Sequence, residues 1–214
     1  MLLPNGIWIS DPAPAKHRGP ALFLDRDGVI VREVDYLSRA EDVGLETGAA
    51  ELLHYARGRG FAIAVITNQS GIARGRFGWA EFEAVEAEIA RQLSAQGLTL
   101  DLVVACAFHE DHTPDFTADH ARWRKPGPAM LELAAERLGC DLAGSIMIGD
   151  KASDIEAARN AGLKMAIHVL TGHGREEREA ALKLARRDFD VLPARDLIDA
   201  VMRLEAQDVG KSAL

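Results

Sequence analysis

The sequence predicts a doubly wound α/β fold: a mostly parallel sheet, Rossmann-like, with helices on both faces. Two observations predict it. Five short runs of strand length are apolar nearly throughout, as strands buried on both faces of a parallel sheet are. Segments with helical spacing separate them, and strand–helix alternation at this rhythm builds a doubly wound sheet.

The elements follow in order. Four of the eight prolines, Pro4, Pro12, Pro14 and Pro20, fall in residues 1–20, which read as an extended N-terminal arm. Ile7-Trp8-Ile9 is expected on the surface of the domain or on a partner. A single domain over 21–214 comes next. Ala21–Leu24 is its first strand. Ala49–Arg57 is a helix stopped near Gly58 and Gly60, and Phe61–Ile66 is the second strand. In Trp79–Gln96, residues Trp79, Phe82, Val85, Ile89 and Leu93 recur at spacings of three and four and form one apolar stripe, closed by Gly97. Leu102–Phe108 is a third strand. Glu110–Trp123 has neither period, so a loop insertion is expected near 109–123. Pro128 opens a helix over Ala129–Leu138 that Gly139 ends. Ser145–Ile148 and Met165–Leu170 are the last two strands, and Ser153 with Glu156 forms a candidate capping box for the helix between them. Helical stretches near Arg175–Arg187 and Ala194–Glu205 finish the chain. Nothing remains that is long enough for a separate cap domain.

Composition narrows the function classes. The 25 basic and 33 acidic residues leave a net charge of −8, which argues against a nucleic-acid partner. No apolar run approaches the roughly 18 residues that span a bilayer, so no membrane partner is expected. Met1-Leu2-Leu3 is stopped by Pro4, Asn5 and Gly6 with no basic stretch before it, unlike a signal peptide. Cys106 and Cys140 are too few for a disulfide framework. A cytoplasmic protein, monomeric or a small homo-oligomer, is the expectation.

Ligands of such a sheet bind beyond the carboxyl ends of its strands. There the chain carries Asp25-Arg26-Asp27-Gly28 after Leu24, Thr67-Asn68-Gln69-Ser70-Gly71 after Ile66, and Gly149-Asp150-Lys151 after Ile148, with Asp154 beyond. Arg124-Lys125 precedes Pro126. Asp25, Asp27 and Asp150 clustered without a cation would repel one another. Oxygen ligands of this kind suit Mg²⁺, which binds one or two carboxylates plus a phosphate. A carboxylate can also attack phosphorus to form an aspartyl-phosphate. The charge that gathers on the transferring group needs cations and donors, and Lys125, Thr67 and the backbone N–H groups after Asp25 fit. Gly28 lets the backbone turn away sharply.

These four motifs, in this order from about Ala21 to Gly162, resemble those of the haloacid dehalogenase superfamily phosphatases. Within that superfamily, Thr67-Asn68-Gln69-Ser70-Gly71-Ile72-Ala73-Arg74-Gly75 and Arg124-Lys125-Pro126 resemble the D-glycero-D-manno-heptose 1,7-bisphosphate 7-phosphatases, whose product feeds cell-surface polysaccharide. Histidinol-phosphate phosphatases are near relatives, but usually have an acidic residue where Ser70 stands. The resemblance implies a Mg²⁺-dependent phosphoric monoester hydrolase without a cap domain. It implies Asp25 as nucleophile and Asp27 as acid and base. Asp25 and Asp150 with the carbonyl of Asp27 would hold the metal, and Thr67 and Lys125 the phosphoryl oxygens. Asn68, Ser70 and Arg124 would contact the sugar or its second phosphate.

One departure concerns a zinc loop that many members carry, Cys-x-His followed by Cys-x-Cys. Here the first part reads Cys106-Ala107-Phe108-His109 and the second Ala121-Arg122-Trp123, so the usual structural zinc site is broken. Cys106, His109, His112 and His120 could supply a substitute Cys/His₃ set; the favoured expectation is a loop closed by Phe116 and Trp123. Bland readings stand beside the sharp ones. Asp154 could only cap or orient its helix, Lys151 could pair with Asp25 or sit on the surface, Arg74 and Arg76 could be solvated, and His54, His168 and His173 are expected as surface or packing residues. Two rivals remain for the function: a phosphatase of another small metabolite such as histidinol phosphate, and a phospho-acceptor signalling domain. Against the second, Asp25-x-Asp27 ends the first strand of a chain longer than a receiver. No P-loop is present to suggest a kinase.

Overall fold

The computed structural model describes residues 1–3, 5–10 and 19–212. It holds a seven-stranded sheet. The strands are β1 (Ile7–Ile9), β2 (Pro20–Leu24), β3 (Ala62–Asn68), β4 (Leu102–Cys106), β5 (Asp141–Gly149), β6 (Met165–His168) and β7 (Asp190–Pro193), and their order across the sheet is β1-β4-β3-β2-β5-β6-β7. Every pairing is parallel except β1 on β4. The helices are α1 (Ala49–Gly58), α2 (Ser70–Ala73), α3 (Trp79–Ser94), α4 (Ala118–Trp123), α5 (Ala129–Leu138), α6 (Ala152–Asn160), α7 (Gly174–Leu182) and α8 (Leu197–Ser212). None of the described helices is long and apolar enough to cross a membrane.

Both faces of the sheet are covered, which is why its strands are apolar throughout. Successive side chains of β2 point to opposite faces. Leu22 and Leu24 join one core with α1, α3 and α8; Ala21 and Phe23 join the other with α5, α6 and α7. The same split divides β3, with Ile63 and Val65 on one side and Ala62, Ala64 and Ile66 on the other. The doubly wound expectation therefore holds, with one antiparallel edge.

That edge lies in the stretch read as an arm. Ile7 pairs with Cys106 and Ile9 with Val104, and Ser10 donates its N–H to the Val103 carbonyl (2.9 Å). Trp8 meets Phe82 edge-on at 5.0 Å, and its indole N–H donates to Glu83 Oε1 (2.8 Å). Here Ile7-Trp8-Ile9 packs on its own domain. Pro4, Pro12 and Pro14 lie outside the described residues.

Other expectations need correction. The stretch read as a loop over 109–123 carries α4 at its end, started by Thr117, whose hydroxyl accepts the His120 N–H. Six residues are too few to show a helical period. Phe116 lies against His120 within the loop, and Trp123 packs against the core. The start of α6 is not a Ser153–Glu156 box. The Asp154 carboxylate accepts the Lys151 N–H (3.0 Å), so an aspartate at the third position does the capping. The strand β7 was not foreseen, being short, only half-buried and closed by Pro193.

One buried charge ties a helix to the sheet. Arg26 follows β2 and is fully buried, with Nη1 on Glu86 of α3 (3.1 Å) and its guanidinium 5.3 Å from the Phe82 ring. Its other face holds Asp27. Burial pushes the Glu86 carboxyl up while Arg26 pulls it down. Glu86→Ala leaves Arg26 its bonds to Asp27 but removes a buried charge-assisted bond, so it is expected to destabilise the fold by about 1.5–3 kcal/mol. Urea denaturation of the purified variant measures it; a loss under about 1 kcal/mol, the range of an exposed pair, would show that the bridge does not anchor α3.

Candidate active site

Register brings the motif residues together. Leu24 pairs with Val65 on one side and with Ile148 on the other, so Asp25 leaves the sheet level with Ile66 and Gly149. The Asp25 N–H donates to the Ile148 carbonyl (3.0 Å), which keeps the chain on this line for one more residue. It then turns at Gly28 (φ +81°), whose N–H donates to the Val31 carbonyl (2.7 Å).

Lys125 is the centre of the site. Its side chain is buried, and its ammonium lies 2.8 Å from Asp25 Oδ1 and 2.7 Å from Asp154 Oδ1, with a further bond to the Ile66 carbonyl (2.7 Å). Burial works against this charge, but Asp154 and Asp25 outweigh it and hold the ammonium well above the ordinary lysine range. Asn68 fixes the backbone that delivers it. Asn68 Nδ2 donates to the Lys125 carbonyl and Asn68 Oδ1 accepts the Lys125 N–H, both at 3.0 Å. Asn68, expected on the sugar or its second phosphate, thus also braces Lys125 while lining the cavity. Asp154, for which capping and ligation were both open, caps α6 and neutralises Lys125.

Asp150 is the member that Lys125 does not touch. Asp25, Asp150 and Asp154 can each offer an oxygen with all three inside 4.8 Å, the one such grouping of metal-ligating side chains among the described residues. Asp150 Oδ1 is buried without a hydrogen-bond partner, while Oδ2 accepts the His173 N–H (2.8 Å). Burial, then the charges of Asp25 and Asp154, push the Asp150 carboxyl up to about 8. A buried carboxylate cluster of that kind suits an oxygen-seeking cation. Asp27 lines the same cavity as Asp25, its carboxylate accepting from Arg26 and from Gln69 Nε2 (2.9 Å). Gln69 also donates to Thr67 Oγ1 (2.8 Å), so one amide links the two residues.

Lys151 neither pairs with Asp25 nor floats free. It is half-buried, with Nζ 3.9 Å from Glu33 Oε2, and Asp25, Asp150 and Glu33 raise it against the cost of burial. Glu33 was not singled out in the sequence. Burial and the nearby Asp27 push its carboxyl up, with Lys151 and His173 opposing. His168, expected at the surface or in packing, is buried with Nε2 on the Asp150 carbonyl (2.8 Å).

Three cavities meet here. A small one of about 30 Å³ is lined by Asp25, Asp27, Asn68, Lys125, Lys151 and Asp154. A second of about 200 Å³ extends past Asp27 to Glu33, Tyr36, Ser70, Phe77 and His173. A third of about 260 Å³ adjoins Lys125 on the other side and is lined by His109, Phe116, Arg124 and Pro126. Ser70 and Arg124, expected to share one role, therefore face different cavities. Arg124 Nη1 donates to the Phe108 carbonyl (3.0 Å).

The candidate zinc ligands are used otherwise. Cys106 is buried in the core below the sheet edge, and burial pushes its thiol up to about 11. His109 Nε2 and His112 Nε2 both meet the guanidinium of Arg74, at 2.7 and 2.8 Å, and His120 Nδ1 accepts the Thr117 N–H (3.0 Å). Arg74 is exposed and is thereby tied to the loop. Burial, then Arg124 and Arg74, lower His109 below its ordinary range, which suits an imidazole that accepts from a guanidinium.

Comparison with known proteins agrees with this geometry. Residues 122–199 match the HAD-hydrolase-like family model. The chain is 38% identical over 186 residues to a D-glycero-D-manno-heptose-1,7-bisphosphate 7-phosphatase of Thermosynechococcus vestitus, covering 85% of this chain and 93% of that one. It is 42% identical over 144 residues to a D-glycero-beta-D-manno-heptose-1,7-bisphosphate 7-phosphatase of Mesorhizobium japonicum, 67% of this chain and 66% of the relative. Among solved structures, the D,D-heptose 1,7-bisphosphate phosphatase of B. bronchiseptica, complexed with magnesium and phosphate, superposes with a TM-score of 0.72 at 29% identity, covering 88% of this chain and 99% of that one. With the motif residues gathered at the ends of β2, β3 and β5, the chain belongs to the HAD-like phosphatases, in the family of the heptose 1,7-bisphosphate 7-phosphatases.

Proposed function

We propose that the chain is a Mg²⁺-dependent phosphatase that removes the 7-phosphate of D-glycero-D-manno-heptose 1,7-bisphosphate. One observation carries the chemistry: a buried ammonium on Asp25, beside a buried Asp150 oxygen without a partner. Asp25 Oδ attacks phosphorus and forms an aspartyl-phosphate, and the sugar oxygen leaves with a proton from Asp27. Asp27 then takes a proton from the water that cleaves the acyl phosphate, which frees Asp25 and releases phosphate. Lys125 and the Thr67 hydroxyl bind the phosphoryl oxygens; Thr67 accepts from Gln69 and so keeps its own hydrogen for the substrate. Asp25, Asp150 and the carbonyl of Asp27 would hold magnesium, which when bound adds positive charge against the phosphoryl oxygens. The second phosphate lies towards Arg124, whose planar fork suits it. The relatives' names support this substrate. The acidic surface and free thiols of Cys106 and Cys140 suit the cytoplasm.

Asp25→Asn removes the nucleophile with little change of shape. Turnover of the bisphosphate, followed as phosphate release, should fall by roughly 1000-fold or more. Retention of more than about a tenth of wild-type turnover would exclude Asp25 as nucleophile.

Arg124→Ala should lose about 2–4 kcal/mol of transition-state stabilisation for the bisphosphate, the scale of a charge-assisted pair. That is roughly 30- to 1000-fold in kcat/KM. Nitrophenyl phosphate has no second phosphate and should lose far less. Equal losses for both would mean that Arg124 only holds the Phe108 carbonyl.

The pH dependence of metal binding follows from Asp150. Its folded carboxyl is raised, so the metal-free protein keeps a proton there that the unfolded chain has already lost. Its ionisation therefore costs stability as pH rises from about 4 towards about 8. A cation must displace that proton at pH 6 and little of it above 8. The rise in Tm given by a fixed Mg²⁺ concentration should be larger at pH 8 than at pH 6. A rise that is equal or smaller at pH 8 would contradict the placement of Asp150 on the metal.

A further inference from the structure

The turn between β6 and α7, Thr171-Gly172-His173, is absent from every motif identified in the sequence. It touches neither Asp25 nor Lys125 in any described bond. It does close around Asp150. The His173 N–H donates to Asp150 Oδ2 (2.8 Å), and the Thr171 hydroxyl donates to the Gly28 carbonyl (2.5 Å). Gly172 (φ +51°) and Gly28 (φ +81°) face each other beside that oxygen. A Cβ on Gly28 would stand 2.8 Å from Asp150 Oδ2 and 3.0 Å from Gly172 Cα, and a Cβ on Gly172 would overlap Asp150 Oδ2 outright. Two glycines are therefore required for the two turns to approach, and their approach leaves Asp150 one position. From below, the buried His168 ring meets the Asp150 carbonyl at 2.8 Å. A carbonyl only accepts, so Nε2 carries the hydrogen. The Val169 N–H donates to the Gly149 carbonyl (3.1 Å) and continues β6 beside the aspartate.

The consequence is a division of labour between two oxygens. Oδ2 is fixed by a backbone donor and walled by two glycines. Oδ1 is buried and lacks a partner, and Asp150 offers an oxygen within 4.8 Å of oxygens of Asp25 and Asp154. We propose that Thr171 and Gly172 are positioning residues for the metal: the turn clamps Asp150 Oδ2 so that Oδ1 is presented to the cation, and it sets Mg²⁺ affinity without contact with substrate. This rests on the reading of Asp150 as a metal ligand. Partners that orient a ligand typically change metal affinity by about 10- to 100-fold when removed.

The test titrates Mg²⁺ into the metal-free full-length protein by calorimetry, with no substrate present. Gly172→Ala should weaken binding by at least about tenfold. Thr171→Val, which keeps the shape and loses the hydroxyl, should weaken it about three- to tenfold, and Thr171→Ser should restore affinity to within about twofold of wild type. KM for the bisphosphate at saturating Mg²⁺ should stay within about twofold in the Thr171 variants, as expected of residues outside the substrate's reach. Asp150→Asn separates the two layers of the argument. If it leaves Mg²⁺ binding intact, the metal reading itself is wrong and the clamp with it. If Asp150→Asn abolishes binding while Thr171→Val binds as tightly as wild type, the metal reading stands and the clamp is overturned. Should Gly172→Ala fail to fold, the Thr171 pair decides alone.

Discussion

The site depends on one ammonium placed among carboxylates that could not otherwise share a buried space. Asp25, Asp150 and Asp154 offer oxygens within 4.8 Å of one another. At an effective dielectric of about 20, two like charges at that distance repel by about 3 kcal/mol. Lys125 answers two of the three by contact with Asp25 and Asp154. Three negative charges and one positive leave two negative, which is the charge a divalent cation neutralises. Burial raises both Asp150 and Asp154, but Lys125 meets Asp154 Oδ1, while Asp150 Oδ1 has neither a cation in contact nor a hydrogen-bond partner. The charge imbalance and the empty lone pair fall on the same atom.

Everything that fixes Lys125 is consequently part of the site, although little of it reacts. Asn68 holds its backbone by two bonds from the end of β3. Ile66, two residues earlier on the same strand, gives its carbonyl to the ammonium. One strand end thus delivers both the hydroxyl of Thr67 and the cradle for a lysine 57 residues later in the chain. Asp154 belongs to the same scheme. One oxygen caps α6 and the other meets Lys125, so the helix start and the charge balance use one side chain.

Motif positions were legible because strand ends are. Asp25, Thr67 and Asp150 each lie at the end of an apolar run, and a run of strand length buried on both faces fits a central parallel strand. Helices with a full stripe, such as α3, were legible for a like reason. Sequence carried no signal for the residues that act across the chain. The Asn68–Lys125 bonds, the Arg26–Glu86 bridge and the Thr171 bond to Gly28 join residues 57, 60 and 143 positions apart. Short elements failed too. The α4 segment has six residues and no buried side chain, so its start depends on the mutual cap of Thr117 and His120. Strand β1 has three residues and is a strand only because β4 offers an open edge.

The loop after β4 shows how a fold can keep its shape with different chemistry. In the resemblance drawn from the motifs, thiols and imidazoles close this loop around zinc. Here Cys106 faces the core, and two imidazoles accept from the fork of Arg74 instead. Arg74 follows α2, directly after the Thr67–Gly71 stretch. The tie therefore runs from the strand end that holds Lys125 to the loop that carries Arg124 to its cavity. A guanidinium spans two ring nitrogens about 2.7 Å away with fixed geometry, as a tetrahedral ion would span four ligands. What differs is the sign of its coupling to protons. An imidazole that accepts from arginine must be neutral, and protonating it places a cation against Arg74 and the nearby Arg124. On the loop that shapes the wider cavity, the bond from Arg74 to His109 thus survives only while that imidazole stays uncharged.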